Sequence, residues 1–157
     1  ASLAAQIQNS IPRKIYDISD IKIVGSDTKQ TIQKYSDELA IIYTKYDVKK
    51  GVIDILQEFI ADEENVGILR ELDPIINKLN KVISESVKMQ VPQSLSLLHL
   101  DLINNFQRML ENISDIRLFD SDIIVAISAI GQYEKNGTAL ELSLNRLIET
   151  IKQKLNN

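Results

Sequence analysis

Cysteine and tryptophan are missing from this chain, and histidine occurs once, at His99. The first absence removes disulfides, thiolate nucleophiles and thiolate metal sites. A lone histidine removes every metal scheme that needs several imidazoles, including the paired Glu-x-x-His motifs of di-iron bundles. The residue three positions before His99 is Ser96, so even one such motif is not formed. Glycine and proline are scarce, at 5 and 3 of 157 residues. Sheet proteins with many turns need more of both, so the scarcity favours a few long helices with few connections. No apolar run approaches the roughly 20 residues that span a bilayer. Excess positive charge is lacking too. The net charge is −4, and Lys49-Lys50 is the only doublet of lysines. That leaves no electrostatic footprint for nucleic acid.

What remains is ordinary for a folded protein. Hydrophobic residues make up 44% and charged residues 25%. The length suits one domain able to bury most of its apolar surface. Residues 1–157 are read as that single unit, with 1–26 an N-terminal short helix and ordered loop and 27–157 a helical bundle.

Leu3, Ile7 and Ile11 recur at i, i+4 and i+8, the spacing of a short amphipathic helix over 2–11 that Pro12 ends. Residues 13–26 carry Tyr16, Ile18, Ile21, Ile23 and Val24. The last three alternate like a strand, but no partner strand is evident, so the stretch is expected to be a loop lying on the bundle. Asp27 with Gln30 reads as a capping box. From there Ile32, Tyr35, Leu39, Ile42 and Tyr46 step by three and four, and the phase carries on to Ile53, Leu56 and Ile60. One helix from about 28 to 61 is the expectation, with two helices broken at Asp47–Gly51 as the competing reading.

A helix from about 64 to 89 follows. Asp73-Pro74 inside it predicts either a kink or a fresh start, because proline is tolerated in a first turn and not in a helix interior. Val91-Pro92 forces a break. The next helix, about 93 to 113, presents Leu95, Leu98, His99, Leu102, Ile103, Phe106, Met109, Leu110 and Ile113 as one wide inward stripe. This is the densest leucine run in the chain and the expected centre of the core. The last stripe, Ile124 through Leu155, is compatible with one helix over 121–155. Asn136-Gly137 is a break signal within it, and the continuous helix is preferred. Four amphipathic segments with short joins predict an all-α fold, an antiparallel up-down four-helix bundle with a short extra N-terminal helix.

Few residues invite chemistry. His99 sits beside the core stripe and is expected to be a packed histidine with one hydrogen bond. No nucleophile elbow, glycine-rich phosphate loop or calcium loop is present. The acidic pairs Glu63-Glu64, Asp120/Asp122 and Asp17/Asp20 read as caps and loops. Asn112-Ile113-Ser114 and Asn136-Gly137-Thr138 match the glycosylation sequon at the rate chance allows. No catalytic residue, cofactor or metal is therefore expected. A ligand pocket between helices near His99 and Phe106 is the alternative to a purely structural role.

Three stretches, Ile21-Lys22-Ile23-Val24 through Tyr35, Val91-Pro92 through Ile103-Asn104, and Phe119-Asp120-Ser121-Asp122 through Tyr133, together resemble uncharacterised all-helical proteins of ultra-small candidate-phyla bacteria. Those proteins look like domains held outside the cytoplasm by an N-terminal anchor. The resemblance implies a helical fold and an extracytoplasmic, envelope or cell-surface location, with membrane contact only through an anchor missing here; a cytoplasmic location is the alternative. It carries no catalytic residues. The expected role is a noncatalytic scaffold or interaction domain, with secretion or pilus assembly as one setting for it, working through a protein partner or self-association.

Overall fold

The computed structural model describes residues 13–157 except 47, 63 and 64. The helix expected over 2–11 and the acidic pair Glu63-Glu64 lie outside these residues. Within them the chain is mostly helical, with five α-helices and little strand. They are α1 (Lys29–Lys45), α2 (Val52–Ala61), α3 (Asp73–Lys88), α4 (Ser96–Ile116) and α5 (Ile123–Asn156). Short 3₁₀ turns occupy Ile18–Asp20, Val66–Leu72 and Gln93–Leu95.

One helix ends at Lys45 and the next starts at Val52, so the single helix over 28–61 is corrected to two. Gly51 is the N-cap of α2, with extended backbone at φ −79° and ψ 161°. Glycine inside a helix costs about 1 kcal/mol against alanine, whereas an N-cap accepts it readily. The apolar phase survives the break because each helix buries its own face: Ile32, Tyr35, Leu39 and Ile42 on α1, and Val52, Ile55, Leu56 and Phe59 on α2. The start of α1 also shifts by one residue. Thr28, not Asp27, caps it by accepting from the Thr31 amide. Asp27 instead accepts from the amide and hydroxyl of Ser94.

Asp73-Pro74 begins a fresh helix, with Pro74 in the first turn, and a 3₁₀ turn replaces the expected helix before it. The loop expected over 13–26 holds a strand, β1 (Lys22–Val24). It pairs in parallel with β2 (Gln90–Pro92), Ile23 opposite Val91. The partner was hidden in the α3–α4 junction. The residue before a proline is pushed toward extended backbone, and such a segment can pair as a strand.

The long C-terminal helix is continuous through Asn136-Gly137. Gly137 does not serve close approach of a neighbour, since a Cβ there would meet nothing within 4 Å. Gly137→Ala should therefore raise stability by about 0.5–1 kcal/mol, read as a higher urea midpoint. A lower midpoint would mean that the helix is distorted at that point.

α4 is the helix that the others share. It packs along α5 and α3 and touches β2. Its upper half, with Leu102, Ile103 and Phe106, joins a core with Ile32, Tyr35 and Leu39 of α1, Val82 and Ile83 of α3, and Leu147 and Ile151 of α5. Its lower half, with Met109, Ile113 and Ile116, joins a second core with α2, Leu69, Leu72 and Ala129. Leu79 and Leu140 pack against both, so the two cores are contiguous.

Candidate functional site

His99 is fully buried, on the face of α4 turned toward α1 and α3. The helix repeat brings Leu102, Ile103 and Phe106 to the same side, so the imidazole stands in an apolar layer. It makes two hydrogen bonds, one more than expected. Nε2 lies 2.9 Å from the Ser86 carbonyl oxygen on α3. Nδ1 lies 2.7 Å from the Tyr35 hydroxyl on α1. A carbonyl oxygen only accepts, so Nε2 carries the proton and donates to Ser86. In the neutral ring Nδ1 then accepts, and Tyr35 donates to it. One imidazole thus ties three helices together. The Tyr35 and His99 rings also meet edge-on, with centroids 5.5 Å apart and planes at 72°.

Burial lowers the His99 pKa below the usual imidazole value, and the bond to Ser86 opposes this in part. The ring is held neutral. Burial raises the pKa of the Tyr35 hydroxyl, so it too stays protonated. The geometry spends both imidazole nitrogens on groups of the chain itself.

Phe106 lies two turns further along α4. Its ring packs at 5.4 Å, tilted by 46°, against Tyr43. The Tyr43 hydroxyl is buried and has no hydrogen-bond partner, as has the Ser86 Oγ. Burial, and then the nearby Tyr35, raise the Tyr43 pKa. Sequence reasoning placed His99 and Phe106 on one stripe, and the structure does so. It missed Tyr35, Tyr43 and Ser86 as the groups that surround them, because they come from elements far apart in the chain.

Surface hollows lie elsewhere. One of about 350 Å³ is lined by Ile41, Ile42 and Met89 with the stems of Glu38, Lys45, Glu85 and Lys88. A smaller one of about 130 Å³ lies behind Tyr35, between α1 and the β1–β2 pair. Neither is lined by His99 or Phe106. Among the described residues no group of three or more His, Asp or Glu side chains is placed to hold a metal ion. Asp17 and Asp122 serve as caps, accepting from the amides of Ser19 and Val125. Asn112 is buried, and its amide nitrogen donates to the Ala129 carbonyl, so its sequon is closed to modification in the folded chain.

Exposed large apolar side chains occur along most of the described chain, and four of them fall within ten residues of one another. Leu118, Ile123, Ile124 and Ile127, at the tip of the α4–α5 hairpin, are 41%, 51%, 42% and 56% exposed. The base beside the tip, Arg117, is bonded to Asp73 at 2.8 Å. Between Arg117 and Lys135 the charged residues are Asp120, Asp122 and Glu134, all acidic. No described helix is long and apolar enough to cross a membrane. Comparison with protein-family models, with curated proteins and with solved structures gives no match.

Proposed function

We propose that this chain is a noncatalytic helical scaffold that binds another protein through the tip of its α4–α5 hairpin. The observation that carries the reading is that Leu118, in the turn, and Ile123, Ile124 and Ile127, in the first turns of α5, are all exposed within ten residues. Contiguous exposed apolar surface marks interaction sites, where single exposed side chains do not. The acidic rim of Asp120 and Asp122 selects the partner: a helix whose apolar face is flanked by lysine or arginine. The supporting scaffold is read as an up-down four-helix bundle of α1, α3, α4 and α5, with α2 as an insertion. Lys45 bonded to Glu85, with Ile42 beside Met89, supports opposed directions for α1 and α3. Ser86 bonded to His99 across the short α3–α4 junction, and Asn112 bonded to Ala129 across the hairpin, support the same alternation. An envelope or cell-surface location rests on the resemblance to anchored helical proteins.

A photo-cross-linking residue at position 127 tests the tip in cells of origin. A discrete adduct with one protein, lost in an Ile123→Ser/Ile124→Ser background, is expected, together with recovery in the envelope fraction. An adduct pattern identical to that from exposed Ile53 on α2 would remove the tip as the binding surface.

A second reading has one observation behind it. The unpartnered hydroxyls of Tyr43 and Ser86, near Phe106 and His99, would suit a small polar ligand held inside the bundle. Electron density bridging Tyr43 and Ser86 would support it, and an empty, dry contact would exclude it.

A further inference from the structure

Residues 13–16 are bound to α4 in the way an extended peptide is bound to a receptor. Arg13 places its guanidinium between two carboxylates, Nη2 at 2.8 Å from Asp115 and Nη1 at 3.4 Å from Glu111. Both acids are largely covered, at 14% and 15% side-chain exposure. The Lys14 amide donates to Glu111 at 3.1 Å, and Arg108 donates to the Lys14 carbonyl at 3.4 Å. Asn104 reads the backbone of Tyr16 twice: its Oδ1 accepts from the Tyr16 amide at 2.8 Å, and its Nδ2 donates to the Tyr16 carbonyl at 3.0 Å. Asn104, Arg108, Glu111 and Asp115 recur at helical spacing, so they form one stripe along α4. The bound segment runs antiparallel to that stripe, Arg13 at its far end and Tyr16 at its near end. It then continues into β1 and pairs with the edge of β2.

The apolar hold on this segment is slight. Of residues 13–24 only Ile21 is buried, while Ile15, Ile18 and Ile23 are 67%, 44% and 41% exposed. After β1 come Gly25 and Ser26, both exposed, before Asp27 fastens the chain to Ser94. A Cβ at Gly25 would meet nothing within 4 Å, and the Ser26 carbonyl is held by a hydrogen bond from the Thr31 hydroxyl at 3.0 Å.

We infer that the α4 stripe and the β2 edge form a binding site for a segment that leads with a basic pair such as Arg13-Lys14 and ends in a strand, and that residues 13–24 of a second copy of this chain can occupy it by reciprocal exchange about Gly25-Ser26. Charge complementarity names the occupant. An emptied stripe would leave Asp115 without its cation and Glu111 with Arg108 alone, and the segment that supplies the missing guanidinium is the one each copy carries. Contacts in the exchanged pair are those of the single chain, so exchange sacrifices only association entropy and whatever the hinge resists.

The absence of native cysteine makes the test unambiguous. One chain carries Lys14→Cys and another Arg108→Cys, residues adjacent in the structure. The two are unfolded together in urea, refolded at high concentration and treated with a short bismaleimide. A covalently linked pair of unlike chains is expected, increased severalfold by deleting Ser26, which shortens the hinge. The double variant Lys14→Cys/Arg108→Cys, refolded dilute, should bridge within itself. Internal bridging without any linked pair in the mixture would overturn the inference. So would a linked pair whose yield is unchanged by Arg13→Ala/Asn104→Ala in both chains, since that would be random collision. Failure of the double variant to bridge would overturn the placement itself. The inference rests on the reading of the chain as an interaction module, but through another surface. A chain with Ile123→Ser/Ile124→Ser should exchange as the parent does, so the two readings fail separately.

Discussion

His99→Ala is expected to lower the unfolding free energy by about 3–5 kcal/mol, the upper part of the range for a single substitution. The loss has two sources. Removing the ring opens a cavity where the side chain was fully buried. It also strands the Tyr35 hydroxyl, and a buried polar group left without a partner costs about 1–3 kcal/mol, while the Ser86 carbonyl keeps its bond from the Met89 amide. Tyr35→Phe takes away one of these bonds and no volume, so its loss should stay near about 1–3 kcal/mol. Urea titrations of the three proteins give both numbers. An unchanged midpoint for His99→Ala would show that the ring does not tie α1, α3 and α4 together.

The same group sets an acid dependence. In the folded chain burial holds the His99 pKa below the value of 6.5 that it has when exposed. The unfolded state therefore binds a proton more readily as pH falls. His99's contribution is fully present above about pH 6.5 and is lost as the pH drops through and below that value. Glu85, lowered by its bonds to Lys45 and Tyr46, also loses its contribution on acidification, but in the carboxylate range further down. A fall in the urea midpoint between pH 7.5 and the onset of carboxylate titration should be visible in the parent and absent in His99→Ala. Equal slopes in the two would mean that the ring titrates freely.

How far the sequence reveals this arrangement depends on the range of the interaction. The α4 stripe was legible because it is periodic within one helix, and Leu102, Ile103, Phe106, Met109 and Ile113 all point inward. The continuity of α5 was legible because its apolar period outweighs its two glycines, Gly131 and Gly137. The break before α2 was not, because the joining residues happen to keep the stripe in phase, and Gly51 reads alike as a poor interior residue or a good N-cap. β1 was seen only as an alternation. Its partner, Gln90–Pro92, lies across three helices and shows no alternation of its own. Histidine burial could be guessed from the position of His99, but its partners could not. Tyr35 is 64 residues away and Ser86 contributes a backbone carbonyl, a group that every residue has. The clamp on residues 13–16 escaped for the same reason. Asn104, Glu111 and Asp115 look like ordinary polar positions on the outer face of a core helix until the chain that crosses them is in place.

Leu102→Ala tests the packing on which the rest depends, and about 2–5 kcal/mol should be lost. Leu102 is 1% exposed and lies one turn from both His99 and Phe106. The cavity cannot collapse easily, because Ile103, Leu147 and Leu39 in the same core are already fixed by their own helices. Leu97→Ala removes the same atoms from the same helix, but Leu97 is 73% exposed. It should change stability by no more than about 0.5 kcal/mol. The contrast cancels helix propensity, which is identical in the two substitutions, and isolates burial. Similar losses at both positions would mean that α4 is rotated from the orientation described. His99 would then turn away from Tyr35, and Asn104 would no longer face Tyr16. A large loss at Leu102 beside a negligible one at Leu97 supports the rotation that both sites require.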